Sequence, residues 1–173
     1  MTLRPLGAAF TAVLLAGCAP ELNWRDVRPV ASAVQLQFPC RPAVQERQLS
    51  LAGRAVRLTL HACNAGDKTW GLAQADIVDA ERVGPALAEL RAAAAANVGA
   101  AEGRRLALKV PGANPLAGNE RVRLDGRLPD GRPVQMQVAV FAHGTQVYQA
   151  TVLGERVGDD DAESYFGSIR FGR

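Results

Sequence analysis

Apolar and polar positions change their rhythm several times along the chain. Residues 6–16 form an unbroken stretch of small and apolar residues, with Phe10, Val13, Leu14 and Leu15 in it and a single basic residue, Arg4, before it. Residues 19–33 hold only scattered apolar positions such as Trp24 and Val27 between Pro20 and Pro29, and read as a tether. A period of two then sets in. Val34, Leu36 and Phe38 alternate with Gln35 and Gln37, which predicts a half-buried strand. Leu49, Leu51, Val56, Leu58 and Leu60 flank a turn at Ala52-Gly53, and setting Leu51 opposite Arg54 puts all of them on one face of a hairpin. Residues 69–77 predict a further strand.

Between residues 85 and 98 the period becomes helical, with Leu87, Leu90 and a five-alanine run, Pro85 suited to the first turn and Gly99 to the stop. Strands resume at residues 106–110. Val122, Leu124, Gly126 and Leu128 alternate with Arg121, Arg123, Asp125 and Arg127 before the turn Pro129-Asp130-Gly131. Residues 134–142 and 145–153 form a hairpin joined at His143-Gly144. One face of it carries Met136, Val138, Val140, Val147 and Leu153; the other carries Ala139, Phe141, Tyr148, Ala150 and Val152. Strands apolar on both faces belong in the middle of a sheet that is covered on both sides. Asp159 to Asp161 supply N-cap chemistry for a short last helix with Tyr165, Phe166 and Ile169. The expected fold is α+β: one domain over residues 34–173, an antiparallel sheet of about six to seven strands with helices on its faces.

The N-terminal run has the layout of a secretion signal. As a helix it rises only ~16 Å, against a hydrocarbon core of roughly 30 Å, so it does not serve as a permanent span. It ends in Leu15-Ala16-Gly17-Cys18, which resembles the lipobox of bacterial lipoprotein precursors at each of its four positions. The resemblance implies cleavage after residue 17 and diacylglyceryl modification of Cys18. Ala19, where the related sorting rule places an aspartate for inner-membrane retention, favours the periplasmic side of the outer membrane over the inner membrane. Several acyl chains make such an anchor stable, since one alone binds bilayers marginally.

Removing the leader leaves about 155 residues, a length that fits a single domain. Twenty Lys and Arg against 17 Asp and Glu give a net charge of +3, and loss of Arg4 with the leader brings it to +2. That near balance carries no nucleic-acid footprint.

The order of meander, helix, long hairpin and last helix looks like the PsbP-like α/β/α sandwich. Two segments carry the likeness: Tyr165-Phe166-Gly167-Ser168-Ile169-Arg170-Phe171, and Val147-Tyr148-Gln149-Ala150-Thr151-Val152-Leu153-Gly154. It covers residues 34–171 and is one of topology. Members of that fold serve as extrinsic photosystem subunits, nucleotide-exchange accessories and bacterial lipoproteins of undefined role, so the resemblance implies a fold and no common activity.

Candidate chemistry is sparse. His61 and His143 are the two histidines, His143 in a tight turn where it reads as exposed. His61 and Cys63 point to one side of an extended strand and, with Cys40, form either a soft-metal site for copper or zinc or, in an oxidising compartment, a Cys40–Cys63 disulfide. Acylation removes Cys18 from the pairing. The hairpin register places position 42 opposite Cys63, with Cys40 two residues further along, so the disulfide is expected and no metal. Ser164 and Ser168 lie in a helix-forming segment without a nucleophile elbow, and Asp159 to Asp161 lack the spacing of a calcium loop. Arg121, Arg123 and Arg127 at period two, with Arg132 across the turn, form a candidate basic stripe for an anionic ligand, set against Glu120, Asp125 and Asp130. The expected protein is thus a lipid-anchored accessory or scaffold module of the cell envelope without catalysis or cofactor, its partners the membrane and other envelope proteins; the alternative is a binding module for an anionic lipid or small ligand.

Overall fold

The computed structural model describes residues 22–172; the leader, the tetrapeptide ending in Cys18 and the first residues of the tether lie outside the described residues. Strands run Arg25–Val27 (β1), Val34–Phe38 (β2), Ala43–Leu51 (β3), Arg54–Ala65 (β4), Lys68–Asp76 (β5), Gly103–Leu106 (β6), Glu120–Arg127 (β7), Pro133–His143 (β8), Gln146–Gly154 (β9) and Arg170–Phe171 (β10). The helices are Val83–Asn97 (α1), entered through a 3-10 turn at Ala80–Arg82, and Asp159–Gly167 (α2). Seven strands form one antiparallel sheet in the order β3-β4-β5-β9-β8-β7-β6, and β1-β2-β10 form a second, smaller one. The fold is α+β, mostly antiparallel sheet with two helices.

Each face of the large sheet is covered differently. On one, α1 buries Val83, Ala86, Leu87, Leu90 and Ala94 against Val122, Leu124, Met136, Val138, Val140 and Val147. Alanines on the inner side keep the helix close to the strands, and at its end the approach is closest. There the Val98 carbonyl accepts from the Arg127 amide at 2.8 Å, and a Cβ at Gly126 would collide with that carbonyl. On the opposite face, α2 and the small sheet cover Trp70, Leu72, Phe141, Tyr148, Ala150 and Val152. The β8–β9 hairpin divides its side chains between the two faces as the period of two requires.

Three expectations are corrected. The tether is partly folded: the Asn23 amide donates to the Pro39 carbonyl at 2.8 Å, Arg25 to Val27 pair with β2, and the Trp24 ring meets Trp70 edge-on at 5.7 Å. The ordered domain therefore begins well before Val34. β2 itself joins the small sheet, because the meander starts only after Pro39 and Pro42 interrupt pairing. The strand expected at residues 106–110 is instead β6, ending at Leu106 opposite Arg121. β7 begins at Glu120 and offers no partner further on, so Leu108 and Val110 leave the sheet and pack against the aromatic face.

Candidate functional site

The β3–β4 register pairs Leu51 with Arg54 and Ala43 with Ala62, so the next position, Pro42, would face Cys63. From there the chain bends to form the Cys40–Cys63 disulfide, with Cα atoms 6.1 Å apart. It closes a loop of 23 residues, which by chain entropy constrains the unfolded state by ~3 kcal/mol. Beside it Trp70 is paired with Cys63 across the strands, donates its Nε1–H to the Ala65 carbonyl at 2.9 Å, and lies edge-on to Tyr165 at 5.4 Å. Both thiols are consumed by the bridge, which leaves the soft-metal alternative without thiolate ligands.

At this same end three connections converge: the β4–β5 turn, the β7–β8 turn and the segment from β9 to α2. They enclose an open polar cleft of about 860 Å³ lined by Asp67, Lys68, Arg132, Gly154, Glu155 and Arg156, among others. Gly154 forms its floor, between Lys68 and Gln135 in the ladder; a Cβ there would press on the Asp67 and Arg156 carbonyls. Lys68 donates to the Gly66 carbonyl at 2.9 Å and lies 3.4 Å from the Asp161 carboxylate. Arg132 holds Asp130 at 2.7 Å, and hydrogen bonds from the Arg132 amide and guanidinium keep the Asp130 carboxyl below its usual range. Among the described residues Arg156, Asp67 and Glu155 make no ion pair.

The four arginines of the expected basic stripe do not stand together in solvent. Arg121 is 2 % exposed: its Nε and Nη2 donate to Gln137 Oε1 at 3.2 and 2.5 Å, its Nη1 to Glu163 Oε1 at 2.8 Å, and its guanidinium lies 4.1 Å over the Phe166 ring. Burial lowers its pKa, against the opposing charge of Glu163, yet an arginine remains protonated at any physiological pH. Arg123 donates to Gln135 at 2.7 Å and lies 3.6 Å from Asp159. Arg127 and Arg132 are exposed beside the β7–β8 turn, Arg127 donating to the Gly131 carbonyl at 2.9 Å. Period two did put Arg121 and Arg123 on one face, but that face is covered by α2, whose Asp159 and Glu163 meet them. The stripe is a clasp between helix and sheet, with Arg132 alone of the four lining the cleft.

Other candidates take structural places. His61 is buried between Val44 and Leu72 in the ladder, its Nε2 without a hydrogen-bond partner, and burial lowers its pKa. His143 is half-buried, not exposed: it ends β8, its Nδ1 lies 2.7 Å from the Gly112 carbonyl, and its ring stacks on Phe171 at 4.3 Å. Ser164 donates to the Asp160 carbonyl and Ser168 to that of Tyr165, while Ser168 accepts from the Gln37 amide. Gly158, not an aspartate, is the N-cap of α2, and Asp159 to Asp161 fill the first turn, where their charge still suits the helix dipole.

Sequence reasoning passed over Gln135, Gln137 and Glu163, the partners that turn the arginines inward. A signal was present: Gln135 and Gln137 interrupt an otherwise apolar strand at period two, opposite Asp125 and Arg123. Lys68 and Arg156 gave none, since the cleft exists only where three distant turns meet. No family model matches the sequence, and no curated protein is significantly similar to it.

Proposed function

We propose that this chain is a lipid-anchored, non-catalytic accessory module of the bacterial cell envelope, exported by residues 1–17 and held through acylated Cys18 at the periplasmic side of the outer membrane. The observation that carries the reading is the Cys40–Cys63 disulfide, because a structural disulfide belongs to an oxidising compartment, and the one cysteine it leaves over is the last residue of the lipobox-like tetrapeptide. The absence of catalysis is read from chemistry already committed: both candidate serine hydroxyls donate to backbone carbonyls, and His61 is buried within the sheet ladder between Val44 and Leu72. The finer fold reading, a PsbP-like α/β/α sandwich, is supported by the place of α1 between meander and hairpin and of α2 at the end of the chain.

Cell fractionation with mass spectrometry of the mature N-terminus tests the anchor. The expected result is an acylated Cys18 as first residue and release of the Cys18→Ser variant from the membrane fraction. An unmodified N-terminus, or a Cys18→Ser protein that stays with membranes through a high-salt wash, overturns it.

A further inference from the structure

We propose that the cleft end of the domain rests on the bilayer that carries the anchor, and that the cleft rim takes zwitterionic phospholipid headgroups, a phosphate ester bearing an amine. The proposal rests on acylation of Cys18 and deepens that reading by fixing how the domain stands on the membrane.

Chain length comes first. Asn23 is already bound to Pro39, so only four residues separate Cys18 from a fixed point on the domain. Fully extended, that connection reaches about 18 Å. Strand β4, with 12 residues, is about 40 Å long. The tether is therefore shorter than half the sheet, and the end that holds Asn23 stays close to the lipid. That end is identified by contacts: Asn23 to Pro39, Cys40 to Cys63, Trp24 to Trp70, Trp70 to Ala65, and from there through the turn at Gly66 into the cleft.

Surface chemistry agrees. Among the described residues, three of the four exposed large apolar side chains, Val30, Val78 and Leu116, belong to the opposite end, where the β8–β9 turn lies: the Ala31 carbonyl accepts from Gln146, the Asp76 carboxylate from both the Val78 amide and Thr145, and Asn114 brackets Gly144. The cleft end is polar and carries both signs, with Arg156 free for a phosphate and Asp67 and Glu155 for an ammonium group. A rim of that kind suits the headgroup layer and not the hydrocarbon beneath it. The cleft volume lies within the range of sites for molecules of headgroup size.

The test uses acylated full-length protein in vesicles of phosphatidylethanolamine with a minor fraction of phosphatidylglycerol, after mass spectrometry has verified the acyl chains. Failure at that first step concerns the anchor alone. A fluorophore is attached to a cysteine introduced at Asn64 beside the cleft, at Gln45, level with Ala73 in the middle of β5, or at Val78, and quenching by a headgroup-bound quencher is read at each. Expected is strong quenching at 64, little at 78 and an intermediate value at 45. Arg156→Glu should reduce quenching at 64 about twofold, the scale of an exposed ion pair. Inserting about twenty Gly and Ser residues after Glu21 should shrink the difference between 64 and 78. Equal quenching at 64 and 78, no response to Arg156→Glu, or a difference that survives the longer tether each overturns the proposal.

Discussion

On its α1 side the large sheet meets mainly aliphatic and small residues, Val83, Ala86, Leu87, Leu90 and Ala94 on Val122, Val138 and Val140, with one ion pair at the rim, Arg91 to Glu120 at 2.8 Å. On its other side it meets rings and polar groups. Phe38, Tyr165, Phe166 and Phe171 pack on Trp70, Phe141 and Tyr148, with Gln137 and Arg121 buried among them. Aliphatic packing is governed by volume, so many side chains of the right size serve. Rings with a donor must also be aimed: Trp70 Nε1 at the Ala65 carbonyl, Tyr165 Oη at the Gly71 carbonyl at 2.7 Å. The α1 face supplies bulk burial, and the aromatic face fixes where α2 and the small sheet sit, and with them the cleft.

The largest effect should come from breaking that second face. Trp70→Ala removes a fully buried ring, its hydrogen bond and two edge-on contacts, and should cost ~3–5 kcal/mol. Leu90→Met on the α1 face should cost less than about 1.5 kcal/mol, as a swap of similar volume. Urea unfolding of the oxidised protein measures both. Comparable losses from the two variants would mean that the faces do not differ in tolerance.

A sharper probe is the clasp. Arg121→Ala leaves Gln137 Oε1 buried without its donor and should cost ~1–3 kcal/mol. Glu163→Gln should cost about 1 kcal/mol or less, since Glu163 is 66 % exposed, a glutamine oxygen still accepts from Arg121 Nη1, and Asp159 still offsets the buried charge. Arg121→Met with Gln137→Leu should recover most of the loss, because a packed apolar pair substitutes well for a buried polar one. If Glu163→Gln matched Arg121→Ala in urea unfolding, the ion pair and not burial would hold the clasp.

The same contrast explains how far the sequence could be read. The aliphatic face was legible from period alone: Met136, Val138, Val140 and Val147 announce their side, and the helix above them follows from Leu87, Leu90 and the alanine run. The disulfide was legible because one turn, Ala52-Gly53, sets the register of the whole β3–β4 ladder. The arginines were misplaced for a physical reason. Period two tells which residues share a face but not what covers it, and the cover, α2, lies more than thirty residues downstream. Trp24 and Val27 read as tether because three residues of strand leave no periodicity to detect.

The smallest effect concerns His61, where the aromatic face thins toward the edge of the sheet. Its ring is 6 % exposed and its Nε2 meets no donor or acceptor, so a charge placed there would be buried without compensation. Burial accordingly lowers the His61 pKa from its ordinary 6.5 in the folded chain, while the unfolded chain keeps the ordinary value. Between the two values the unfolded state binds the extra proton, so stability rises with pH in that interval. The contribution of the neutral ring is complete above about pH 6.5 and declines as pH falls through that value, ending at the lowered pKa of the folded state. His61→Leu removes the proton site while filling the space with an apolar side chain. The expected outcome, from urea midpoints measured between about pH 7.5 and pH 5, is that wild type loses stability on acidification faster than His61→Leu. His143 is common to both proteins and cancels from the difference. Parallel pH profiles for the two would show that His61 finds a proton partner when charged, and that this edge of the aromatic face is wetter than its 6 % exposure indicates.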